Sequence, residues 1–275
     1  MLLRKGCFVL SSDIKLITID LDGTLVHGDH VPERNIRALK MVQDKGLTVA
    51  IATGRMHTSA RKFVSHLGID GSTPIISYNG AMVRLPDAEE PMRHVPLQAD
   101  LAAQIVQYGV EQWFSMNYYL DDVLYTLRVD HWAWLYHSRT GDLTTPVGDF
   151  RRFDGKQPTK LLLTAYPHDC DRLLPLLQAQ FSDRVYVTRS MPEYIEFLNK
   201  DVSKGHAVEW LAGHLGLKRE QVMAIGDNLN DQPMIAWAGV GVAMPRAHEL
   251  TRQAADFVPE HEEEGVAEAL EHYFG

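Results

Sequence analysis

The stretch Ile17-Thr18-Ile19-Asp20-Leu21-Asp22-Gly23-Thr24-Leu25 limits the fold more than any other part of the chain. Its first half is apolar and β-branched, as in a buried strand. Two carboxylates follow, one residue apart, with Gly-Thr behind them. A strand that ends in Asp-x-Asp-Gly puts Asp20 and Asp22 at the carboxyl edge of a sheet, where open α/β sheets bind their ligands. Carboxylates this close repel each other unless a cation lies between them. Oxygen ligands favour a hard divalent ion, Mg²⁺ above all. The same residues also suit a solvated turn after a strand, and a short motif needs context to separate the two readings.

The chain that follows supplies the context. Pro32 opens a helix in which Ile36, Leu39 and Val42 recur at helical spacing, with Gly46 as its stop. Residues 47–52 form a second buried strand that delivers Thr53-Gly54-Arg55. Strand, helix and strand make one right-handed parallel unit, which sets Thr53 beside Asp20. A helix over 56–67, stopped by Gly68, leads to a strand over 74–78 and a tight turn at Asn79-Gly80.

The pattern changes after residue 82. Residues 97–109 read as a helix, and 112–119 with 123–129 as paired strands around Asp121-Asp122. A short helix is expected over 131–139, strands over 160–165, 184–188 and 195–198, and a helix over 168–179. This mixture reads as an α+β domain, residues 83–199, inserted into an α/β core made of 14–82 and 200–275. Alternation resumes at Ser203-Lys204-Gly205. A strand over 222–225 delivers Gly226-Asp227-Asn228-Leu229-Asn230-Asp231. Further strands are expected over 241–244 and 255–258, then a closing helix over 265–274. Residues 1–13 read as an N-terminal extension.

Composition removes several classes of function. A net charge of −9 over 275 residues argues against a nucleic-acid backbone as partner. No apolar run reaches the length of a membrane span. Cys7 and Cys170 form neither a disulfide framework nor a zinc motif, which points to the cytoplasm. A small phosphorylated metabolite remains compatible, since a basic pocket can sit in an acidic protein.

Four distant elements thus converge on one sheet edge: Asp20-x-Asp22, Thr53-Gly54-Arg55, Lys204, and Gly226-Asp227-x-x-Asn230-Asp231. In order and spacing the set resembles the haloacid dehalogenase superfamily, and within it the Cof-type phosphatases. The resemblance runs from Ile14 to the end through DLDGTL, ATGR, YNGA, VSKG and GDNLND. It departs at Pro245-Arg246, where the family often has Gly-Asn. It implies a doubly wound parallel sheet carrying a cap, and a Mg²⁺-dependent phosphatase for small phosphorylated metabolites, sugar phosphates leading. A phosphomutase and a non-catalytic phospho-ligand sensor are the alternatives. Substrate and oligomeric state stay open at the level of sequence.

The resemblance also implies roles, and the residue chemistry agrees with them. Asp20 would be the nucleophile that forms an aspartyl-phosphate. Asp22 would protonate the leaving oxygen and then deprotonate water. Asp20, the Asp22 carbonyl and Asp227 would hold Mg²⁺, with Asp231 in support. Thr53, Gly54 and Lys204 would meet the phosphoryl group, with Asn230 a further polar contact. Taken singly, each has a plainer reading: Lys204 as a solvated helix-start lysine, Thr53 as a strand-end hydroxyl, Asp227 as a turn residue. Arg55 is either a substrate contact or a helix-start salt bridge. The aromatics of the insert, among them Trp113, Tyr118, Tyr119, Trp134 and Tyr136, are expected in its core, with a substrate wall as the minority reading.

Overall fold

In a computed structural model of the chain, residues 13–28, 30–67, 72–181 and 183–275 are described. Residues 1–12 of the expected extension, Cys7 with them, and the Gly68 helix stop lie outside these residues.

The chain opens with β1 (Leu16–Ile19), α1 (Glu33–Asp44), β2 (Thr48–Ala52), α2 (His57–His66), β3 (Ile75–Ser77), β4 (Met82–Arg84) and β5 (Arg93–His94). A middle stretch holds α3 (Ala99–Glu111), β6 (Ser115–Leu120), β7 (Val123–Thr126), α4 (His131–Thr140), β8 (Thr145–Pro146), β9 (Lys160–Thr164), α5 (Pro167–Phe181), β10 (Val185–Met191) and β11 (Tyr194–Asn199). The last part holds α6 (Lys204–His214), β12 (Val222–Gly226), α7 (Gln232–Trp237), β13 (Val240–Ala243), α8 (Glu249–Ala254) and α9 (Gly265–Phe274).

The larger sheet has seven strands in the order β13-β12-β1-β2-β3-β4-β5. The first five are mutually parallel, and β4 and β5 extend the edge antiparallel. β1 sits at the centre because every one of its residues is buried, as its unbroken apolar run requires. Its end residue Ile19 lies beside Ile51 of β2 and Ile225 of β12. The chain therefore leaves all three strands at one edge. Outside the sheet, Asn35 of α1 holds α9: its carboxamide donates to the Glu263 carbonyl at 2.9 Å and accepts the Ala267 N–H at 2.9 Å.

The smaller sheet has six strands in the order β10-β11-β9-β6-β7-β8, antiparallel except for β7 with β8. Leu101 and Ile105 of α3 and Leu173 and Phe181 of α5 fill its own core. Its opposite face meets the larger sheet through a separate apolar cluster, in which Met56, Tyr78 and Met82 touch Tyr119, Leu162 and Tyr194. The fold is the expected parallel α/β core with an inserted α+β cap.

Three details differ from the sequence reading. β4 and β5 belong to the larger sheet, so the cap's own core begins at Leu97 and not at residue 83. The expected strand over 255–258 is reduced to one bridge, Val242 with Phe257. Its ladder stops there because the Gly241 N–H is taken by the Asp256 carboxylate, at 2.8 Å, and not by a carbonyl. The aromatics of the insert also divide: Tyr118, Tyr119 and Tyr136 are buried, while Trp113 is 86% exposed and Trp134 63%.

Candidate functional site

Asp20 is the first residue past β1, and it stays buried. Its N–H continues the β1–β12 ladder by donating to the Ile225 carbonyl at 2.9 Å. The chain then turns back through Gly23, whose φ of +85° suits glycine. A Cβ there would also stand 2.7 Å from Asp227 Oδ2, so a carboxylate of another strand occupies the missing side chain's space. Thr24 donates its hydroxyl to Asp227 Oδ1 at 3.1 Å and fixes that carboxylate from the other side.

Asp227 leaves β12 in a loop organised by Asp231. Asp231 Oδ2 accepts the Asp227 N–H at 3.0 Å and the Asn228 N–H at 2.9 Å. Its Oδ1 accepts Lys204 Nζ at 2.6 Å, and Lys204 Nζ also donates to Asp20 Oδ1 at 2.5 Å. Lys204 starts α6 and is buried, as is Asp231. The solvated helix-start reading of this lysine is thereby overturned. Oxygens of Asp20, Asp227 and Asp231 lie within 4.8 Å of one another.

The charges in this cluster do not balance. Burial, then Asp231, pushes the Asp20 carboxyl well above the ordinary range, against the pull of Lys204. Burial and Asp231 push Asp227 up to about 6. Burial alone would lower the Lys204 ammonium; the charges of Asp20 and Asp231 outweigh it and raise it. One buried cation faces three carboxylates, the electrostatic signature of a place for a further cation.

Asp22 points away from this cluster. Both of its oxygens are held by Arg55, from Nε at 2.8 Å and Nη2 at 2.5 Å. The Arg55 guanidinium stacks over Phe63, 4.3 Å from the ring centroid. Of the two readings of Arg55, the salt bridge describes the structure in hand. Thr53 is the first residue past β2, its N–H on the Ile76 carbonyl at 2.8 Å and its hydroxyl accepting the Arg55 N–H at 3.1 Å.

Asn230 is brought in through Asn79, a residue of the YNGA segment to which the sequence reading gave no role at the site. The Asn230 Nδ2 donates to Asn79 Oδ1 at 2.9 Å. Asn79 has a left-handed φ of +58°, a conformation that asparagine tolerates. A Cβ on Gly54 would lie 3.0 Å from the same Asn79 oxygen. Asp122, at the tip of the β6–β7 hairpin, was also missed. It accepts N–H groups of His57 at 3.1 Å and Thr58 at 2.9 Å, the Thr58 hydroxyl, and Tyr78 OH at 2.7 Å. Glu196 stands inside the apolar run Tyr194-Ile195-Glu196-Phe197-Leu198, and Lys160 opens Lys160-Leu161-Leu162-Leu163. A lone charge in a buried strand is a legible signal, since it must find a partner.

A family model described as haloacid dehalogenase-like hydrolase matches residues 17–270. The chain is 31% identical to YxeH of Bacillus subtilis over 264 residues, 93% of this chain and 97% of the relative. It is 29% identical over 268 residues to 5-amino-6-(5-phospho-D-ribitylamino)uracil phosphatase YitU of the same organism, covering 94% and 97%. The crystal structure of TM0651 from Thermotoga maritima superposes with a TM-score of 0.86 at 30% identity, covering 94% and 97%. With the motifs assembled at one sheet edge and these likenesses running the length of the fold, the chain belongs to the haloacid dehalogenase-like hydrolases, in their Cof-type branch.

Proposed function

We propose that the protein is a Mg²⁺-dependent phosphatase that hydrolyses small phosphorylated metabolites, sugar phosphates leading, through an aspartyl-phosphate on Asp20. The carrying observation is the buried Asp20 carboxylate, held by Lys204 at 2.5 Å with Asp227 and Asp231 beside it. The relatives support the substrate class: YitU is named for a phosphorylated ribitylaminouracil, and a relative from Serratia proteamaculans, 29% identical over 94% of this chain, is an HMP-PP phosphatase.

Phosphate monoesters resist hydrolysis, so on the order of 20 kcal/mol of barrier must be removed. Asp20 attacks phosphorus, forming a P–O bond as the bond to the leaving oxygen breaks. Asp22 delivers a proton to that oxygen. It then takes one from water, whose oxygen displaces Asp20 and releases phosphate. Both Asp22 oxygens are occupied by Arg55 here, so Asp22 must turn off Arg55 to reach the leaving group. Lys204 offsets charge on Asp20 and the phosphoryl group, while Thr53 and the Gly54 N–H donate to phosphoryl oxygens.

The all-oxygen, charge-excess set of Asp20, Asp227 and Asp231 fits Mg²⁺, with the Asp22 carbonyl as a further donor. Bound there, the ion would neutralise the nucleophile and the phosphoryl oxygens. The cap, residues 97–199, would grip the leaving group and exclude water, so substrate choice would reside in it. The acidic balance argues against a nucleic-acid partner, the lack of an apolar run of membrane length argues against a membrane partner, and the sparse cysteines favour the cytoplasm.

A phosphate-release panel of sugar phosphates, nucleotides, flavin mononucleotide and pyridoxal phosphate with Mg²⁺ tests the proposal. Free phosphate from at least one, with sugar phosphates foremost, is the expected result. An isomerised sugar phosphate would mean a mutase, and no turnover of any compound would leave a sensor.

A further inference from the structure

We propose that Glu196 of the cap is a positioning residue: by holding Asn79 it sets the phosphate-binding turn Thr53-Gly54, so that phosphoryl transfer depends on the seating of the cap. The inference rests on the phosphatase reading above. Glu196 and Lys160 project from neighbouring cap strands, two residues apart in register on one face, since Glu196 pairs with Leu162. Both are buried, at 4% and 3% exposure. Glu196 Oε1 accepts Lys160 Nζ at 3.3 Å and the Ser190 hydroxyl at 2.8 Å. Its second oxygen, Oε2, reaches out of the cap to Asn79 Nδ2 at 3.4 Å.

Asn79 touches everything this contact needs to control. Its N–H donates to the Thr53 carbonyl at 3.0 Å. Its Oδ1 accepts Asn230 Nδ2 from the Asp227 loop and abuts Gly54. A carboxamide has two unlike ends, and a carboxylate accepts only from the nitrogen end. Glu196 and Asn230 together fix which way the Asn79 amide faces. With the amide reversed, oxygen would meet carboxylate and nitrogen would meet the donor of Asn230. Lifting the cap removes Glu196 and leaves the Asn79 amide held from one end only. Stability alone does not account for the pair, because a buried ion pair is commonly no better than apolar residues of its size. Lys160 compensates the charge and lies over the Tyr119 ring, 4.8 Å from its centroid.

The test measures kcat and KM on the full chain with Mg²⁺, for p-nitrophenyl phosphate and for glucose 6-phosphate. The variants are Glu196→Ala, Glu196→Gln, Asn79→Gly and the double variant Glu196→Ala/Asn79→Gly, each melted to check folding. Glu196→Ala is expected to lower kcat about tenfold on both compounds, since slight misplacement of reacting groups has effects of this order or more. Glu196→Gln keeps an acceptor for Asn79 and should recover most of the loss. The double variant should be no slower than Asn79→Gly alone, because the two act on one step. Losses that multiply in the double variant overturn the proposal. So does a rise in KM confined to glucose 6-phosphate, which would make Glu196 a leaving-group contact. If Glu196→Ala does not fold, Lys160→Met/Glu196→Leu removes the Asn79 contact without stranding a charge and should show the same kcat loss; unchanged kcat there overturns the proposal. A wild-type protein that releases phosphate from neither of these nor from any compound of the panel above overturns the phosphatase reading itself.

Discussion

Among the described residues a lysine is buried against carboxylates twice, and the two places differ in arithmetic. In the core, Lys204 faces Asp20 at 2.5 Å and Asp231 at 2.6 Å, with Asp227 beside them. In the cap, Lys160 faces Glu196 alone at 3.3 Å, and a serine and an asparagine complete the shell. The cap pair is closed, with each charge answered and each carboxylate oxygen satisfied. The core cluster is open: it holds more negative charge than it can satisfy, at a sheet edge, where turns from three strands meet. Burial of charge by itself does not mark a reaction site. An imbalance that only a ligand can correct does.

The largest expected effect breaks the core cluster at its centre. Asp20→Asn keeps the shape and the hydrogen bond from Lys204 but removes the nucleophile. Phosphate release should fall by about a thousandfold or more, while the circular dichroism spectrum stays that of the parent. A variant within tenfold of the parent would remove Asp20 from the chemistry. Next in size is the metal. A chelator should abolish turnover and Mg²⁺ should restore it, and Asp227→Ala should raise the Mg²⁺ needed for half-maximal rate about tenfold. Turnover that persists in excess chelator would leave the three carboxylates without their proposed purpose.

The two regions were not equally legible. The core could be read because its information is local. Three of the catalytic-edge motifs sit at the ends of continuous apolar strands, and parallel topology brings strand ends together without further instruction. The placement of Asp20, Thr53 and Asp227 follows from that rule; Lys204, which starts α6, was legible only through the family resemblance. The cap residues that grip the core do not. Asp121-Asp122 is visible as a hairpin turn, yet nothing nearby in sequence says that Asp122 lands on His57 and Thr58, since the distance between them is set by the docking of two sheets. Glu196 announces itself as a charge in an apolar strand, but its partners Lys160 and Asn79 are 36 and 117 residues away. The helices α7 and α8 span six residues each, too short for a periodic pattern to declare itself.

A smaller effect sharpens the contrast through pH. In the metal-free fold Asp227 is pushed up to about 6 and Asp20 is raised as well, chiefly by burial. In the unfolded chain both return to the ordinary aspartate value, about 3.9. Between these values the folded chain binds more protons than the unfolded one, so the stability from Asp227 is full below about pH 4 and is lost as pH rises through about 6, and Asp20 contributes with the same sign. Mg²⁺ competes with those protons. The increase in Tm on adding Mg²⁺ should therefore be larger at pH 7.5 than at pH 5. Equal increases at the two pH values would show that these carboxylates are not what the ion binds.

The smallest expected effect lies at the seam between the two sheets. Asp122 and Asp121 both have left-handed φ, +58° and +52°, the conformation of a tight hairpin turn between β6 and β7. That turn carries the Asp122 carboxylate onto the first turn of α2, where it serves as the acceptor that Met56, at the helix start, cannot supply. A cap residue thus finishes a core helix, the one that begins directly after Thr53-Gly54-Arg55. Asp122→Ala removes those acceptors and should cost about 0.5–2 kcal/mol, the usual range for a lost helix cap. It also places alanine in a left-handed turn, so the loss alone does not identify the seam. Asp122→Asn separates the two causes, because asparagine tolerates the turn and retains one acceptor oxygen. The alanine variant should melt lower than the asparagine variant, and its His57 and Thr58 amides should exchange faster with solvent while those in the middle of α2 do not. If alanine and asparagine melt alike and the two amides keep their protection, Asp122 does not hold the seam, and the apolar contact of Met56 and Tyr78 with Tyr119 and Tyr194 is what seats the cap.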